Sequence, residues 1–213
     1  MNFIAEDLSA YIESHSSVPD PLLQELERET YLRCLMPQMC SGHQQGRLLG
    51  LISKIHRPSK ILEIGTFTGY SALCLAEGLA DNGLLHSVDN NPEIMDMAQS
   101  YVDRSPYKNS IQLHLGNGLD WIAKLDESWD LAFLDADKEN YPAYFEALMP
   151  RLKPGSILLA DNVLWSGKVT QSVRPSDRET IALQAYNRTI VQDPRLEVLI
   201  LSVRDGISLA RVR

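Results

Sequence analysis

Long apolar runs and basic clusters are both missing from this chain of 213 residues. No apolar run has the length of a bilayer-spanning helix, and the first residues lack the basic flank and apolar core of a signal peptide. Acidic residues outnumber basic ones, 28 to 20, which gives a net charge of -8. Because binding to duplex nucleic acid rests on Lys and Arg, this balance disfavours nucleic acid as the main partner, although a local basic patch stays open.

Cysteine and histidine are also scarce. The three cysteines, Cys34, Cys40 and Cys74, include no C-x-x-C pair, and the five histidines include no H-x-x-x-H pair. An odd number of scattered cysteines predicts reduced thiols in a cytoplasmic protein. The histidine spacing argues against a zinc site.

A further absence concerns residues 60–73, the stretch around which the chain is organised. An apolar strand, a turn between Gly65 and Gly69 and a helix start follow one another, a combination that forms a ligand pocket at the edge of an open α/β sheet. The turn lacks G-x-G-x-x-G because Phe67 occupies the place of the second glycine. Glu63 would repel a phosphate but suits a ligand with a cationic end, such as S-adenosylmethionine. The alternative is an ordinary turn with a solvated Glu63.

Strands and helices alternate along the rest of the chain. This alternation predicts an α/β fold in which helices cover both faces of a parallel sheet. Strands are predicted at residues 61–64, 84–89, 111–115, 129–134 and 156–160. Helices are predicted at 2–33 (broken at 16–21), 92–101, 141–152 and 178–192. One further helix is predicted to end at about residue 56, and another to start at residue 71. Residues 163–177 are predicted to form a loop. We expect a single domain, residues 1–213, with a helical cap at 1–57 and a cofactor-binding sheet at 58–213.

The end of the chain breaks the alternation. Two apolar runs, residues 196–203 and 207–212, are joined only by Arg-Asp-Gly. So short a connection predicts a hairpin, and therefore antiparallel strands. A parallel sheet that ends in one reversed strand is similar to the layout of class I methyltransferases.

Acidic residues follow four of the predicted strands. Glu63, Asp89, Asp135 and Asp161 come at the carboxyl ends of apolar runs, and these ends share one edge of a parallel sheet. Clustered like charges need a cationic partner, so the acids predict a functional cleft. Asp89 is placed to accept hydrogen bonds from ribose hydroxyls, or else forms an Asx turn before Asn-Pro.

The third and fourth acids have neighbours that indicate metal chemistry. Asp135, Asp161 and Asn162 supply two carboxylates and one amide oxygen, which suit Mg²⁺. The alternative is a hydrogen-bonded carboxylate pair without a metal. Lys138 comes three residues after Asp135 and can reach the same place, unless it is simply exposed. Gly118 either leaves room for a flat ring or marks the entry to a helix.

Four ordered motifs carry a specific resemblance. They are Asp-Ala-Asp-Lys-Glu-Asn-Tyr at 135–141, Leu-Lys-Pro-Gly at 152–155, Asp-Asn-Val-Leu-Trp-Ser-Gly-Lys-Val at 161–169 and Asp-Gly-Ile-Ser-Leu at 205–209. From about Met39 to the C-terminus the chain resembles the cation-dependent O-methyltransferases, the caffeoyl-CoA and catechol O-methyltransferase group. The resemblance implies a Rossmann-like seven-stranded sheet with the last strand reversed, S-adenosylmethionine as methyl donor and Mg²⁺ or another divalent cation.

The resemblance also assigns residues. The cofactor site would be lined by Met39, Ser41, Glu63, Gly65, Phe67, Ser71, Asp89, Asn117, Gly118 and Asp135. The metal would be held by Asp135, Asp161 and Asn162, and Lys138 would be the general base. Two positions depart from the family: Asp89 stands where many relatives have Glu, and residues 116–118 are Gly-Asn-Gly where relatives often have Gly-Asp-Ala.

We therefore expect a methyltransferase that acts on vicinal hydroxyls of an aromatic small molecule. Methylation of a hydroxylated tRNA base stays open, as do a nicotinamide oxidoreductase and a nucleotide-binding module without catalysis. Acceptor choice is expected in the N-terminal helices and residues 163–177. A coenzyme A ester would need cations, for which Lys168, Arg174 and Arg178 are candidates. A homodimer through the N-terminal helices is expected.

Overall fold

The computed structural model describes residues 5–213 and contains one seven-stranded sheet. The strand order is β3-β2-β1-β4-β5-β7-β6. The strands are β1 (Lys60–Ile64), β2 (Leu84–Asp89), β3 (Ile111–Leu115), β4 (Trp129–Leu134), β5 (Leu152–Ala160), β6 (Leu196–Leu201) and β7 (Ile207–Val212). Strand β7 runs antiparallel to both β5 and β6, so the predicted reversed strand is confirmed.

The part of the chain that the structure describes has eight α-helices, three before β1 and five between successive strands. They are α1 (Glu6–Ser14), α2 (Pro21–Arg33), α3 (Gly42–His56), α4 (Tyr70–Ala76), α5 (Pro92–Arg104), α6 (Gly118–Leu125), α7 (Tyr141–Leu148) and α8 (Arg178–Gln192). The predicted cap of α2 is confirmed, since Asp20 accepts a 2.8 Å hydrogen bond from the Leu22 N–H and Pro21 follows it. The predicted helical residues 2–4 lie outside the described residues. No described helix is both long and apolar enough to cross a membrane.

The chain forms two compact units that meet in sequence at Asn117 and Gly118. In the unit that ends at Asn117, β1, β2 and β3 pair in parallel, and Leu85 lies between Ile61 and Ile111. Helices α3 and α4 approach closely at Gly46 of α3, where a Cβ would come within 2.6 Å of the Tyr70 ring of α4. The predicted division into a helical cap and a sheet region stays a prediction.

Helix α2 is attached to the rest of its unit by polar contacts that range from fully buried to exposed. The Thr30 hydroxyl lies 3.0 Å from the Thr68 hydroxyl in the glycine turn after β1, and both residues are fully buried. The Tyr101 hydroxyl of α5 donates to Glu29, and Arg104 donates two hydrogen bonds to Glu25. Helix α2 is therefore connected directly to the glycine turn that is predicted to bind the cofactor.

In the unit Gly118–Arg213, β4 and β5 are parallel neighbours and end together. Leu134 pairs with Ala160, and the Asp161 N–H donates to the Leu134 carbonyl at 2.9 Å. Asp135 and Asp161 therefore follow two adjacent strands at the same level. Behind them, the rings of Tyr141 and Tyr186 pack edge to face with centroids 5.4 Å apart.

Three predicted boundaries near β5 and β6 were wrong. The helix expected at 141–152 ends at Leu148 and is followed by a 3₁₀ turn, Met149–Arg151, because Pro150 cannot continue an α-helix. Strand β5 starts at Leu152 and includes the predicted turn 153–155, which lies in a register shift opposite β4. Strand β6 ends at Leu201 because the hairpin loop is longer than Arg-Asp-Gly.

Two further elements were not predicted. Helix α6 begins directly at Gly118, and residues 165–170 of the predicted loop form a 3₁₀ segment, Trp165–Thr170. That segment is kinked, with φ of +53° at Ser166 and +79° at Gly167. Helix α6 has apolar residues at helical spacing, Leu119, Ile122 and Leu125, but spans only eight residues, and the kink depends on backbone angles.

Candidate active site

The glycine turn after β1 is held in an unusual backbone conformation. Gly65, Phe67 and Gly69 all have positive φ, of +106°, +47° and +89°. A left-handed conformation is strained for Phe67 and persists only where neighbours fix it. The Phe67 N–H donates to Asp89 Oδ2 at 2.7 Å, and the Asn91 N–H donates to Asp89 Oδ1 at 2.9 Å.

Asp89 therefore has a structural role at the end of β2. The bond from Asn91 is the Asx contact that the sequence left open, and the bond from Phe67 fixes the glycine turn. A carboxylate has about four lone-pair positions, so two acceptor positions remain after these bonds. The arrangement fits ribose hydroxyls as further donors.

Glu63 lies inside the unit rather than at its surface. The side chain is fully buried, and the Ser87 hydroxyl on the neighbouring strand donates to it. The Ser87 hydroxyl also lies 2.6 Å from that of Thr66, which connects Glu63 to the glycine turn. The alternative of a solvated Glu63 is wrong. Ser87 and Thr66 were not predicted as site residues, because nothing in their sequence context marks them.

The other predicted cofactor residues lie at the starts or ends of elements. Ser41 precedes α3 and Ser71 lies in the first turn of α4, and both are buried. Met39 ends a 3₁₀ turn and is 54% exposed. Gly118 is the first residue of α6, directly after Asn117, so the helix-entry interpretation of Gly118 describes its position.

At the ends of β4 and β5, a lysine lies against one carboxylate, and a second carboxylate follows the neighbouring strand. Lys138 Nζ lies 3.0 Å from Asp135 Oδ1, and their side chains are only 8% and 18% exposed. The alternative of an exposed Lys138 is therefore wrong. Asp161 is buried and accepts a 2.7 Å hydrogen bond from the Asn162 N–H, and Asn162 has a φ of +58°.

The position of Lys138 follows from a short turn. The 3₁₀ turn Lys138–Asn140 begins directly after Asp137, whose carboxylate accepts from the Asn140 amide and, at 2.7 Å, from the Tyr144 hydroxyl. Residues i and i+3 of such a turn lie on the same face, which brings Lys138 and Tyr141 together.

Tyr141 is a residue of this site to which the sequence assigned no role. Its hydroxyl lies 2.9 Å from Lys138 Nζ, 3.0 Å from the Asp161 carbonyl and 3.2 Å from the Leu134 carbonyl. Burial, followed by the charges of Asp135 and Asp161, raises the pKa of Tyr141 well above 10. The spacing of three residues from Lys138 was the available sequence signal.

The donor set at these strand ends fits a hard divalent cation. No group of three or more His, Cys, Asp or Glu side chains in residues 5–213 is arranged to hold a metal ion. The predicted set instead combines two carboxylates on adjacent strand ends with the amide of Asn162, and all are oxygen donors. Mg²⁺ takes few protein ligands of this kind and keeps positions open for other oxygens.

The segment after Asn162 supplies exposed cations. Lys168, Arg174 and Arg178 are all exposed, and Lys168 Nζ lies 5.8 Å from the centre of the Trp165 ring. Their side chains are accessible to an anionic group, and their part in acceptor binding stays a prediction.

Comparison with known proteins identifies the family. The sequence model of the O-methyltransferase family matches residues 13–213. A catechol O-methyltransferase of Niastella koreensis is 32% identical over 187 residues, which cover 84% of each chain. A caffeoyl-CoA O-methyltransferase of Mesembryanthemum crystallinum is 32% identical over 184 residues, covering 81% of this chain and 72% of that one.

A solved structure shows the same fold. The O-methyltransferase of Bacillus cereus in complex with SAH superposes with a TM-score of 0.89 at 28% identity and covers 97% of both chains. This similarity confirms the predicted Rossmann-like class I methyltransferase fold. The chain belongs to the O-methyltransferase family and is an S-adenosylmethionine-dependent O-methyltransferase of the caffeoyl-CoA and catechol type.

Proposed function

We propose that this enzyme transfers a methyl group from S-adenosylmethionine to one of two neighbouring hydroxyls on an aromatic acceptor, with the help of Mg²⁺. The observation that carries the proposal is the ion pair between the buried Lys138 and the partly buried Asp135, at the strand end next to that of the buried Asp161. A lysine held by the Asp135 carboxylate is placed to act on a hydroxyl proton near the strand ends that carry the oxygen donors for a cation. The catechol relative is consistent with this acceptor class.

Asp135, Asp161 and Asn162 would hold the cation. Asp135 and Asp161 follow paired residues of β4 and β5, so their backbones have a fixed separation, and Asn162 extends the set by one residue. A bound divalent cation supplies Lewis-acid stabilisation of a phenolate oxygen and a template for two adjacent oxygens.

Glu63 and Asp89 would take the cationic and ribose parts of the methyl donor, with Met39, Ser41, Gly65, Phe67, Ser71, Asn117, Gly118 and Asp135 as the remaining contacts. S-adenosylmethionine supplies an electrophilic methyl group on a sulfonium. Support comes from Asp89, which is fixed by two N–H groups and keeps acceptor positions for hydroxyls. The glycine turn that Asp89 holds would position the rest of the molecule.

Lys138 would remove the acceptor proton. An ordinary phenol has a pKa of about 10, judged from tyrosine, so a base is needed at neutral pH. Lys138 Nζ is oriented by Asp135 and would accept the hydroxyl proton as the oxygen attacks the methyl carbon. A positioned base contributes roughly 10²–10⁴-fold to the rate, and alignment of the reactants supplies much of the rest.

We further propose a homodimer in the cytoplasm. Large apolar side chains are exposed where α2 ends, with exposures of 74% for Leu32, 96% for Leu35 and 53% for Met36. Monomeric proteins rarely expose a contiguous patch of this kind, so a second copy of the chain is the expected cover. Light scattering at several concentrations gives the mass in solution, and Leu35→Glu is expected to shift it to that of a monomer.

The acceptor class is tested by methyl uptake from labelled S-adenosylmethionine. We expect turnover with catechol and with a catechol-bearing coenzyme A ester, and at least 100-fold less with the matching monophenol, because a single hydroxyl loses the second oxygen contact. Hydroxylated tRNA is included as the competing acceptor. Equal rates for catechol and monophenol, or uptake by tRNA alone, would contradict the proposal.

A further inference from the structure

Tyr141 occupies the point at which Lys138 and the ends of β4 and β5 meet. Its side chain is fully buried, and its hydroxyl oxygen lies within 3.2 Å of Lys138 Nζ and of the carbonyls of Leu134 and Asp161. Both carbonyls belong to the strand ends that carry the proposed metal ligands. A single phenol therefore connects the proposed base to the backbone of both strand ends without being one of the predicted site residues.

The hydrogen-bond inventory fixes the direction of these contacts. A phenol has one hydrogen, and a backbone carbonyl can only accept, so the Tyr141 hydrogen is directed at Asp161 or Leu134. Its oxygen is then left as an acceptor toward Lys138, at 2.9 Å. From the side of the lysine, Tyr141 acts only as an acceptor.

The lysine nitrogen is thereby oriented from two sides. One N–H of Lys138 is directed at Asp135 Oδ1, 3.0 Å away, and a second at the Tyr141 oxygen. Nitrogen in an amine has four tetrahedral positions, of which the carbon stem takes one and these two contacts take two more. The fourth position, which carries the lone pair of a neutral amine, has a direction fixed by the other three.

We propose that Tyr141 is a positioning residue that aims the fourth position of Lys138 Nζ at the acceptor hydroxyl. The inference rests on the proposed function, because it assigns Tyr141 to the base of that reaction. Tyr141 itself touches neither acceptor nor methyl donor in this account. Asp135 alone would leave the amine free to rotate about one contact, whereas two contacts fix it.

Tyr141→Phe tests the proposal, since it removes only the hydroxyl. We expect kcat to fall roughly 10- to 100-fold, the loss typical of small misplacement of a reacting group, while the KM and calorimetric Kd for S-adenosylmethionine are unchanged. Tyr186→Phe is the matched control. Tyr186 is equally buried and packs on Tyr141, but its hydroxyl lies 3.3 Å from Ser208 and is not bonded to Lys138, so kcat is expected to stay at the wild-type level.

A double-mutant cycle separates positioning from general support of the fold. If Tyr141 acts through Lys138, then Tyr141→Phe in a Lys138→Ala background causes no further loss of kcat, because residues that act as a unit are not additive. A loss of the same factor in both backgrounds would overturn the proposal. If Lys138→Ala alone keeps full kcat, the assignment of Lys138 as the base fails. If Lys138→Ala is inactive but Tyr141→Phe keeps full kcat, only the positioning role of Tyr141 fails.

A measurement on the wild-type enzyme covers the case in which Tyr141→Phe does not fold. Carbon-13 relaxation of the lysine ε-methylene groups, assigned with Lys138→Ala, reports how tightly each amine is held. We expect Lys138 to be as rigid as the backbone, and Lys108, whose side chain is exposed, to be mobile. Equal mobility of the two lysines would contradict a fixed amine.

Discussion

At the scale of single residues, the proposed methyl transfer depends on Lys138. Its side chain is only 8% exposed, and its amine is hydrogen-bonded to Asp135 and Tyr141. This agrees with the rule that lysine is rarely buried without partners. These contacts arise because a 3₁₀ turn, separated from β4 by three residues, brings Lys138 and Tyr141 to the same face, close to the strand ends. A buried lysine beside carboxylates is a candidate for proton transfer.

Lys138→Ala is expected to lower kcat by roughly 10²–10⁴-fold, with little change in the KM for S-adenosylmethionine. The loss should shrink at high pH, where hydroxide ionises the catechol without a protein base. The measurement is a profile of kcat against pH for both enzymes with Mg²⁺ saturating.

Lys138→Arg is the control for charge alone. A guanidinium stays protonated, so this variant should be as slow as Lys138→Ala. Profiles of equal height and shape for wild type and Lys138→Ala would show that Lys138 is not the base.

The sequence predicted site residues where a motif marks them, but not where only the packing of the folded chain brings them to the site. Lys138, Asp135 and Asp161 were predicted to lie close together at one edge of the sheet. The prediction was possible because Asp135 and Asp161 directly follow adjacent strands, β4 and β5, and Lys138 comes three residues after Asp135. Tyr141 was given no role because a polar motif does not show that its last side chain is buried, and Ser87 was missed because a serine within an apolar strand looks like core. Their roles follow from hydrogen bonds that only the folded chain creates.

At the scale of elements, the loop from β1 to α4 and the end of β2 form one structure. Asp89→Ala should remove two acceptors at once, one for the Phe67 N–H and one for the Asn91 N–H. We expect cofactor affinity to fall at least tenfold, because the turn loses its fixed backbone and the ribose loses its acceptor.

Calorimetry with S-adenosylmethionine measures that change, and Asp193→Ala is the control. Asp193 also accepts hydrogen bonds at an element end, from Arg195, but it lies in the connection between α8 and β6. Unchanged cofactor affinity in Asp89→Ala would remove Asp89 from the cofactor site.

The pair of strands β2 and β3 carries a pH-sensitive contact. His86 Nδ1 lies 2.9 Å from His114 Nε2, and burial, followed by the charges of His114 and Lys60, lowers the pKa of His86 from 6.5 to about 4. Between pH 6.5 and 4 the unfolded chain therefore binds a proton that the folded chain does not, so stability falls as the pH falls through that window.

Denaturant unfolding at several pH values checks this expectation. His86→Gln keeps a hydrogen-bonding group but cannot titrate, so the loss of stability between pH 6.5 and 4 should be smaller than in wild type. Parallel curves for His86→Gln and wild type would contradict the lowered pKa.

Strand positions were predictable because apolar runs bounded by turn residues define them, and β2, β3, β4 and β7 have the expected ends. The errors fall where backbone geometry overrides pattern. Pro150 ended α7 early, and Lys-Pro-Gly at 153–155 became a register shift inside β5 rather than a turn before it. Sequence alone does not distinguish a turn from a bulge with the same residues.

At the scale of the whole molecule, the fold and the family could be predicted because sequence patterns at many positions indicate the same architecture. The seven-stranded sheet with β7 reversed was expected from the alternation of elements and the final hairpin. Chemistry depends on fewer residues than fold does, and the fold alone does not determine function. The cation dependence of the reaction is therefore the part of the account that most needs measurement.

The measurement is catechol methylation by enzyme stripped with EDTA, freed of chelator, and then titrated with Mg²⁺. We predict that turnover is lost in the stripped enzyme and returns with added Mg²⁺, while the Kd for S-adenosylmethionine is the same in both states. Asp161→Ala and Asn162→Ala should stay inactive at any Mg²⁺ concentration with the fold intact. Full turnover by the stripped enzyme in metal-free buffer would contradict the account.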